Sequence, residues 1–134
     1  MNLAKKTERF ELKHQITSFL IIMLLTLLIA RFIASVYDPN LIIKGFEIHH
    51  FYYGLILLII ISLIMLFEKG EFKINLIITA IAIGLIIDEL ILVGTEIKEP
   101  LKYNSTIYSV IILALAVVLI VEFISYILKN NKNA

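Results

Sequence analysis

The sequence predicts an all-α, four-transmembrane-helix bundle with its N-terminus and C-terminus both cytoplasmic, a multi-pass protein of the cell membrane. Three observations lead there: four apolar runs of spanning length, short polar connections between them, and an uneven distribution of Lys and Arg among those connections. Hydrophobic residues make up 60% of the 134 residues and mean hydropathy is +0.98, the composition of a chain whose solvent is lipid. One domain accounts for this length. The sequence has no Cys, so disulfides, thiolate ligands and thiol catalysis are excluded. A formal charge of +1, with basic and acidic residues intermixed, makes nucleic acid an unexpected partner.

A basic amphipathic segment opens the chain over residues 1–15. Lys5, Lys6, Arg9 and Lys13 are interleaved with Leu3, Phe10 and Leu12, a pattern that suits the anionic inner leaflet. The first span follows over about 16–36. Its apolar stretch is longer than a signal-peptide core and no small-x-small cleavage site follows, so it reads as a permanent span. The connection Tyr37 to Glu47 opens on Tyr37-Asp38-Pro39-Asn40, a turn and a helix stop.

The second span covers about 48–67 and the third about 74–94. Between them Glu68-Lys69-Gly70-Glu71-Phe72-Lys73 is short enough to force an antiparallel hairpin. Thr95 to Ser105, with Pro100 and alternating charges, leads to the fourth span at about 106–128 and a polar tail. Each run approaches the ~20 residues that cross a ~30 Å hydrocarbon core as a helix. A transmembrane barrel would instead show ~10-residue segments of alternating polarity. These runs are continuously apolar and twice as long. Trp is absent, so Tyr and Phe near the span ends supply the interfacial belt.

Lys and Arg set the orientation. An inner N-terminus places Lys5, Lys6, Arg9, Lys13, Lys69, Lys73, Lys129 and Lys132 on the inner side, and only Lys44, Lys98 and Lys102 outside. That topology then gives each ionisable residue a depth at ~1.5 Å per residue. Arg31 lies roughly 8 Å and Asp88 roughly 9 Å below the outer surface, while His49 and His50 open the second span there. Ionisable groups at such depth are rare and usually paired or functional. Their coincidence marks a site.

Facing refines it. Ala80, Gly84 and Asp88 recur every four residues, as do His50 and Gly54, and small residues at that spacing mark close helix packing in membranes. His50 is therefore expected to pair with Asp88 between spans two and three, with Arg31 as counter-ion to Asp88 or Glu89. His49 and Glu89 lie about 100° round their helices from this pair. Tyr53, one turn from both His49 and His50, is placed to orient an imidazole. In an enzyme His50, Asp88 and Glu89 would be catalytic as acid and base, while Arg31, His49 and Tyr53 would bind a lipid headgroup. His50 and Asp88 are also candidate ligands for a divalent metal, although adjacent His residues lack the i, i+4 ligand spacing.

Other features weigh less. Glu122, about 9 Å from the inner end of span four, is expected to bond Ser125 and Tyr126 one turn on. Asn104-Ser105-Thr106 fits the glycosylation pattern, a short motif close to the membrane. There is no His-Glu-x-x-His, phosphate-cradling Gly loop or Gly-x-Ser-x-Gly elbow.

The string His49-His50-Phe51-Tyr52-Tyr53-Gly54, followed by Gly84-Leu85-Ile86-Ile87-Asp88-Glu89, resembles a set of uncharacterised small four-helix integral membrane proteins of bacteria and archaea. These carry His-His-Phe-x-x-Gly at the start of one span and Asp-Glu in the next. The likeness covers spans two and three, roughly a third of the chain. It implies a fold and the choice of His50 and Asp88, and no reaction.

Three functional classes follow: a membrane enzyme acting on a lipid headgroup, a structural or partner-binding subunit whose polar cluster fixes packing, and an oligomeric proton or ion pathway. The expected partners are the bilayer, a lipid headgroup and a second copy of the chain.

Overall fold

A computed structural model describes residues 3–37, 41–44, 46–95 and 104–131, with side chains undescribed at 3–12, 41, 42, 46, 47, 104 and 129. Its order is helix α1 (Leu3–Val36), strands β1 (Leu41–Ile43) and β2 (Phe46–Ile48), helices α2 (His50–Leu66) and α3 (Phe72–Gly94), a 3-10 turn (Asn104–Thr106) and helix α4 (Ile107–Asn131). Four helices thus carry the fold. Three contain stretches long and apolar enough to cross a membrane: Lys13–Val36, Phe72–Gly94 and Ile107–Leu128.

The amphipathic segment and the first span form one continuous helix, since nothing between Leu3 and Val36 breaks it: the stretch holds neither Gly nor Pro. Thr17 and Thr26 return their hydroxyls to the carbonyls of Lys13 and Ile22, one turn back. Such self-satisfied hydroxyls let polar residues ride in an apolar helix.

The first connection differs from a simple turn. Leu41 pairs with Ile48, Ile42 with Glu47 and Ile43 with Phe46 in an antiparallel hairpin. Lys44 takes the left-handed conformation at φ 52 in the tight reversal. The hairpin absorbs Ile48, which the sequence assigns to the second span. α2 accordingly starts at His50 and runs only 17 residues. At ~1.5 Å per residue it is roughly 26 Å long, shorter than the ~30 Å core.

α2 ends in a Schellman motif. Lys69 N–H donates to the Ile64 carbonyl at 2.9 Å and Glu68 N–H to that of Met65 at 3.0 Å, with Glu68 left-handed at φ 54. Gly70 (φ 81) then turns the chain into α3. A Cβ there would lie 2.7 Å from Asn75 Oδ1, and the buried Asn75 donates Nδ2–H to the Lys69 carbonyl at 3.2 Å. The expected α2–α3 hairpin is built this way.

α3 is the central helix, flanked by α1 and α2 and, more lightly, by α4. Two glycines set the crossings. A Cβ on Gly84 would meet the Met23 carbonyl oxygen at 2.8 Å, and one on Gly54 the Ala82 carbonyl oxygen at 2.7 Å. The Ala80-Gly84-Asp88 stripe therefore faces α1, while α2 seats Gly54 against Ala82, Leu85 and Ile86. Met23, Leu27, Ala80, Ile87, Val110 and Ala114 form the apolar core between α1, α3 and α4.

Residues 96–103, which include Pro100, lie outside the described residues, as do Asp38, Pro39 and Asn40 of the first turn.

Candidate functional site

The site lies where the carboxyl ends of α1 and α3 meet the amino end of α2 and the turn before α4. Asp88 is its centre, with a side chain 0% exposed. Arg31 Nε–H donates to Asp88 Oδ1 at 2.8 Å, and Arg31 Nη2 reaches the Asp88 carbonyl oxygen at 3.3 Å and Thr106 Oγ1 at 3.2 Å. From the other side His50 Nε2 meets Asp88 Oδ2 at 2.8 Å. One carboxylate thus joins α1, α2 and α3, and the guanidinium extends the network to α4's leading turn. The expected His50–Asp88 pair and the Arg31 counter-ion are both present.

Glu89, 2% exposed, has a second task. α2 begins at His50 with His49 as its N-cap residue, and the His49 side chain makes no capping bond. The first helical amides would then be unpaired in an apolar layer, where an orphan donor is expensive. Glu89 Oε2 accepts the Phe51 N–H at 2.8 Å, which caps α2 from α3. A carboxylate at a helix amino end also complements the dipole.

Glu89 Oε1 faces both imidazoles. His50 Nδ1 lies 3.2 Å away and His49 Nδ1 3.5 Å away. The His49 nitrogen has no hydrogen-bond partner among the described residues. His49 is the most open member of the cluster at 20%, with His50 at 13% and Arg31 at 12%.

Each ring nitrogen of His50 faces a carboxylate oxygen, Nε2 at 2.8 Å from Asp88 Oδ2 and Nδ1 at 3.2 Å from Glu89 Oε1. With Arg31 at 2.8 Å on the other oxygen of Asp88, the buried carboxylates lie among nitrogen partners, the condition under which polar groups tolerate burial.

Other expectations fare differently. Tyr53 is exposed and hydrogen-bonds neither imidazole among the described residues. The candidate metal ligands His50 and Asp88 are in direct contact with each other. No group of three or more His, Cys, Asp or Glu is placed to hold a metal among the described residues. Glu122 is exposed on α4 and bonds neither Ser125 nor Tyr126 among the described residues. The sequence reading missed Thr106 and Asn75 as structural partners. Thr106, in the turn before the amino end of α4, falls at the same level as Asp88 near the carboxyl end of α3, and that shared depth was the available signal.

Comparison with known families, curated proteins and solved structures finds no match to this chain. The geometry of the site therefore carries the functional reading.

Proposed function

We propose that this chain is a multi-pass integral membrane protein, with both termini cytoplasmic, whose polar network near the outer face locks α1, α2 and α3 in register. In this reading it is a structural or partner-binding membrane subunit. One observation carries it: all four carboxylate oxygens of Asp88 and Glu89 face nitrogen groups of the chain itself. Asp88 Oδ1 and Oδ2 take Arg31 and His50, Glu89 Oε2 takes the Phe51 amide, and Oε1 lies beside both imidazoles. Each carboxylate oxygen thus has a nitrogen of the chain beside it among the described residues.

Thermal unfolding in detergent tests this. A lock predicts that His50→Ala and Asp88→Ala each lower stability, and that the double variant shows strong coupling. Single variants as stable as the parent would overturn it.

A second reading is an acid–base site directed at a lipid headgroup. The placement of the His50 ring between the two carboxylates and the residual exposure of His49 and Arg31 favour it. It predicts that His50→Ala alters the lipids of the producing membrane, followed by mass spectrometry, while stability stays unchanged. A transmembrane proton path has less support, because Met23, Leu27, Ala80, Val110 and Ala114 fill the core with apolar groups.

A further inference from the structure

α4 shows two faces. Val110 and Ala114 are buried against the core, with Leu113, Val117 and Val118 packed around them. On the far side Tyr108, Ile112, Leu115, Leu119, Glu122 and Tyr126 are all exposed. Their spacing is four, three, four, three, four, the 3.5-residue period of a helix that packs along a straight seam with another helix. Glu122 lies on that seam, six residues before Leu128, where the apolar stretch ends. Neither Glu122 nor Tyr126 has a hydrogen bond or ion pair among the described residues. A carboxyl facing hydrocarbon without a partner is costly, and such residues in spans face other helices.

We propose that α4 is the interface of a parallel homodimer, in which Glu122 accepts a hydrogen bond from the partner's Tyr126. The inference rests on the membrane-spanning reading of α4. A second copy fits because the seam carries its own complement. Two parallel copies related by a two-fold axis along the membrane normal bring equal depths together, so each Glu122 meets the same stretch of the other helix. Helical side chains lean toward the amino end of their helix. Both side chains lean this way, and the longer Tyr126 side chain extends further back than Glu122 does, which narrows the one-turn offset between its phenol and the opposing carboxyl. The flanking Ile112, Leu115 and Leu119 interdigitate along the rest of the seam.

The absence of Cys from the sequence makes the test direct. Ile112→Cys, Leu115→Cys and Leu119→Cys, oxidised with copper phenanthroline in native membranes, should each give a band at twice the 15.3 kDa chain mass. Ile120 and Ile124 are also exposed, at 57% and 50%, but lie off the seam, and Ile120→Cys and Ile124→Cys should cross-link several-fold less. Adding Glu122→Leu to Leu119→Cys should lower the dimer band several-fold, whereas Glu122→Gln, which keeps an acceptor, should retain it. Thermal unfolding of the Glu122→Leu protein, expected to match the parent, separates a lost interface from a lost fold. Equal cross-linking on and off the seam, an adduct of another mass, or a dimer indifferent to Glu122→Leu would each overturn the proposal. Alkaline carbonate extraction keeps its failure apart from that of the membrane reading. A chain washed off the membrane sinks both, while one retained without seam-specific cross-links sinks the interface alone.

Discussion

Glu89 caps a helix that it does not belong to, its Oε2 accepting the Phe51 N–H of α2 at 2.8 Å. Removing it leaves a donor unpaired in an apolar layer. Glu89→Ala is expected to cost about 1–3 kcal/mol, and Glu89→Gln, which keeps an acceptor, less. Hydrogen exchange at the Phe51 amide should accelerate in the first variant by more than in the second.

Asp88 has the larger stake, because it holds Arg31 and His50 together. Asp88→Ala strands a guanidinium and should lower stability by about 3–5 kcal/mol, as when one partner of a buried pair is removed. Arg31→Met combined with Asp88→Leu removes both charges and should recover most of that loss. Chemical unfolding of the single and double variants reads the difference.

The helix crossings give a contrast between glycines. A methyl group on Gly54 or Gly84 meets backbone oxygen at 2.7 or 2.8 Å, whereas nothing lies within 4 Å of that position on Gly94. Gly54→Ala and Gly84→Ala should each cost about 1–3 kcal/mol through overpacking. Gly94→Ala should stay within about 0.5 kcal/mol of the parent. Melting temperatures in one detergent suffice to check the order.

Orientation is checked by labelling. A Cys at Lys44 is expected to react with an impermeant maleimide in intact cells, and a Cys at Lys69 only after lysis. The reverse pattern would invert the topology and place the polar network at the inner face.

Tyr53 is the control. Its exposed ring touches neither imidazole through a hydrogen bond among the described residues, so Tyr53→Phe should change stability by less than about 0.5 kcal/mol.

How much of this was legible varied with the physics involved. Arg31, His50 and Asp88 were legible because charges in apolar runs need partners, and helical spacing set their faces. The α2–α3 hairpin was legible from the shortness of its connection. The β-hairpin was not, because Leu41-Ile42-Ile43 in a connection gives no sign of what it pairs with. It shortened α2, and the shortened end then required the cap from Glu89, a role visible only once the helix start was known. Thr106 and Asn75 are single neutral residues whose burial depends on the packing of other helices. Glu122 was expected to be satisfied within its own helix, but local spacing does not tell where a side chain points.

The central place of α3 has a consequence for biogenesis. This helix carries two adjacent carboxyls whose nitrogen partners are supplied by α1 and α2. An acidic residue costs up to roughly 2.5–3.5 kcal/mol on the scale of translocon insertion, the figure for the centre of a span, and Asp88 and Glu89 meet a smaller share of it near the carboxyl end of α3. Its partners precede it in the chain, so Arg31 and His50 emerge from the ribosome before Asp88 does. If insertion follows the order of synthesis, the cation and the imidazole would already be in place when the acids arrive. A permuted gene that delivered α3 first would ask the bilayer to accept those acids alone.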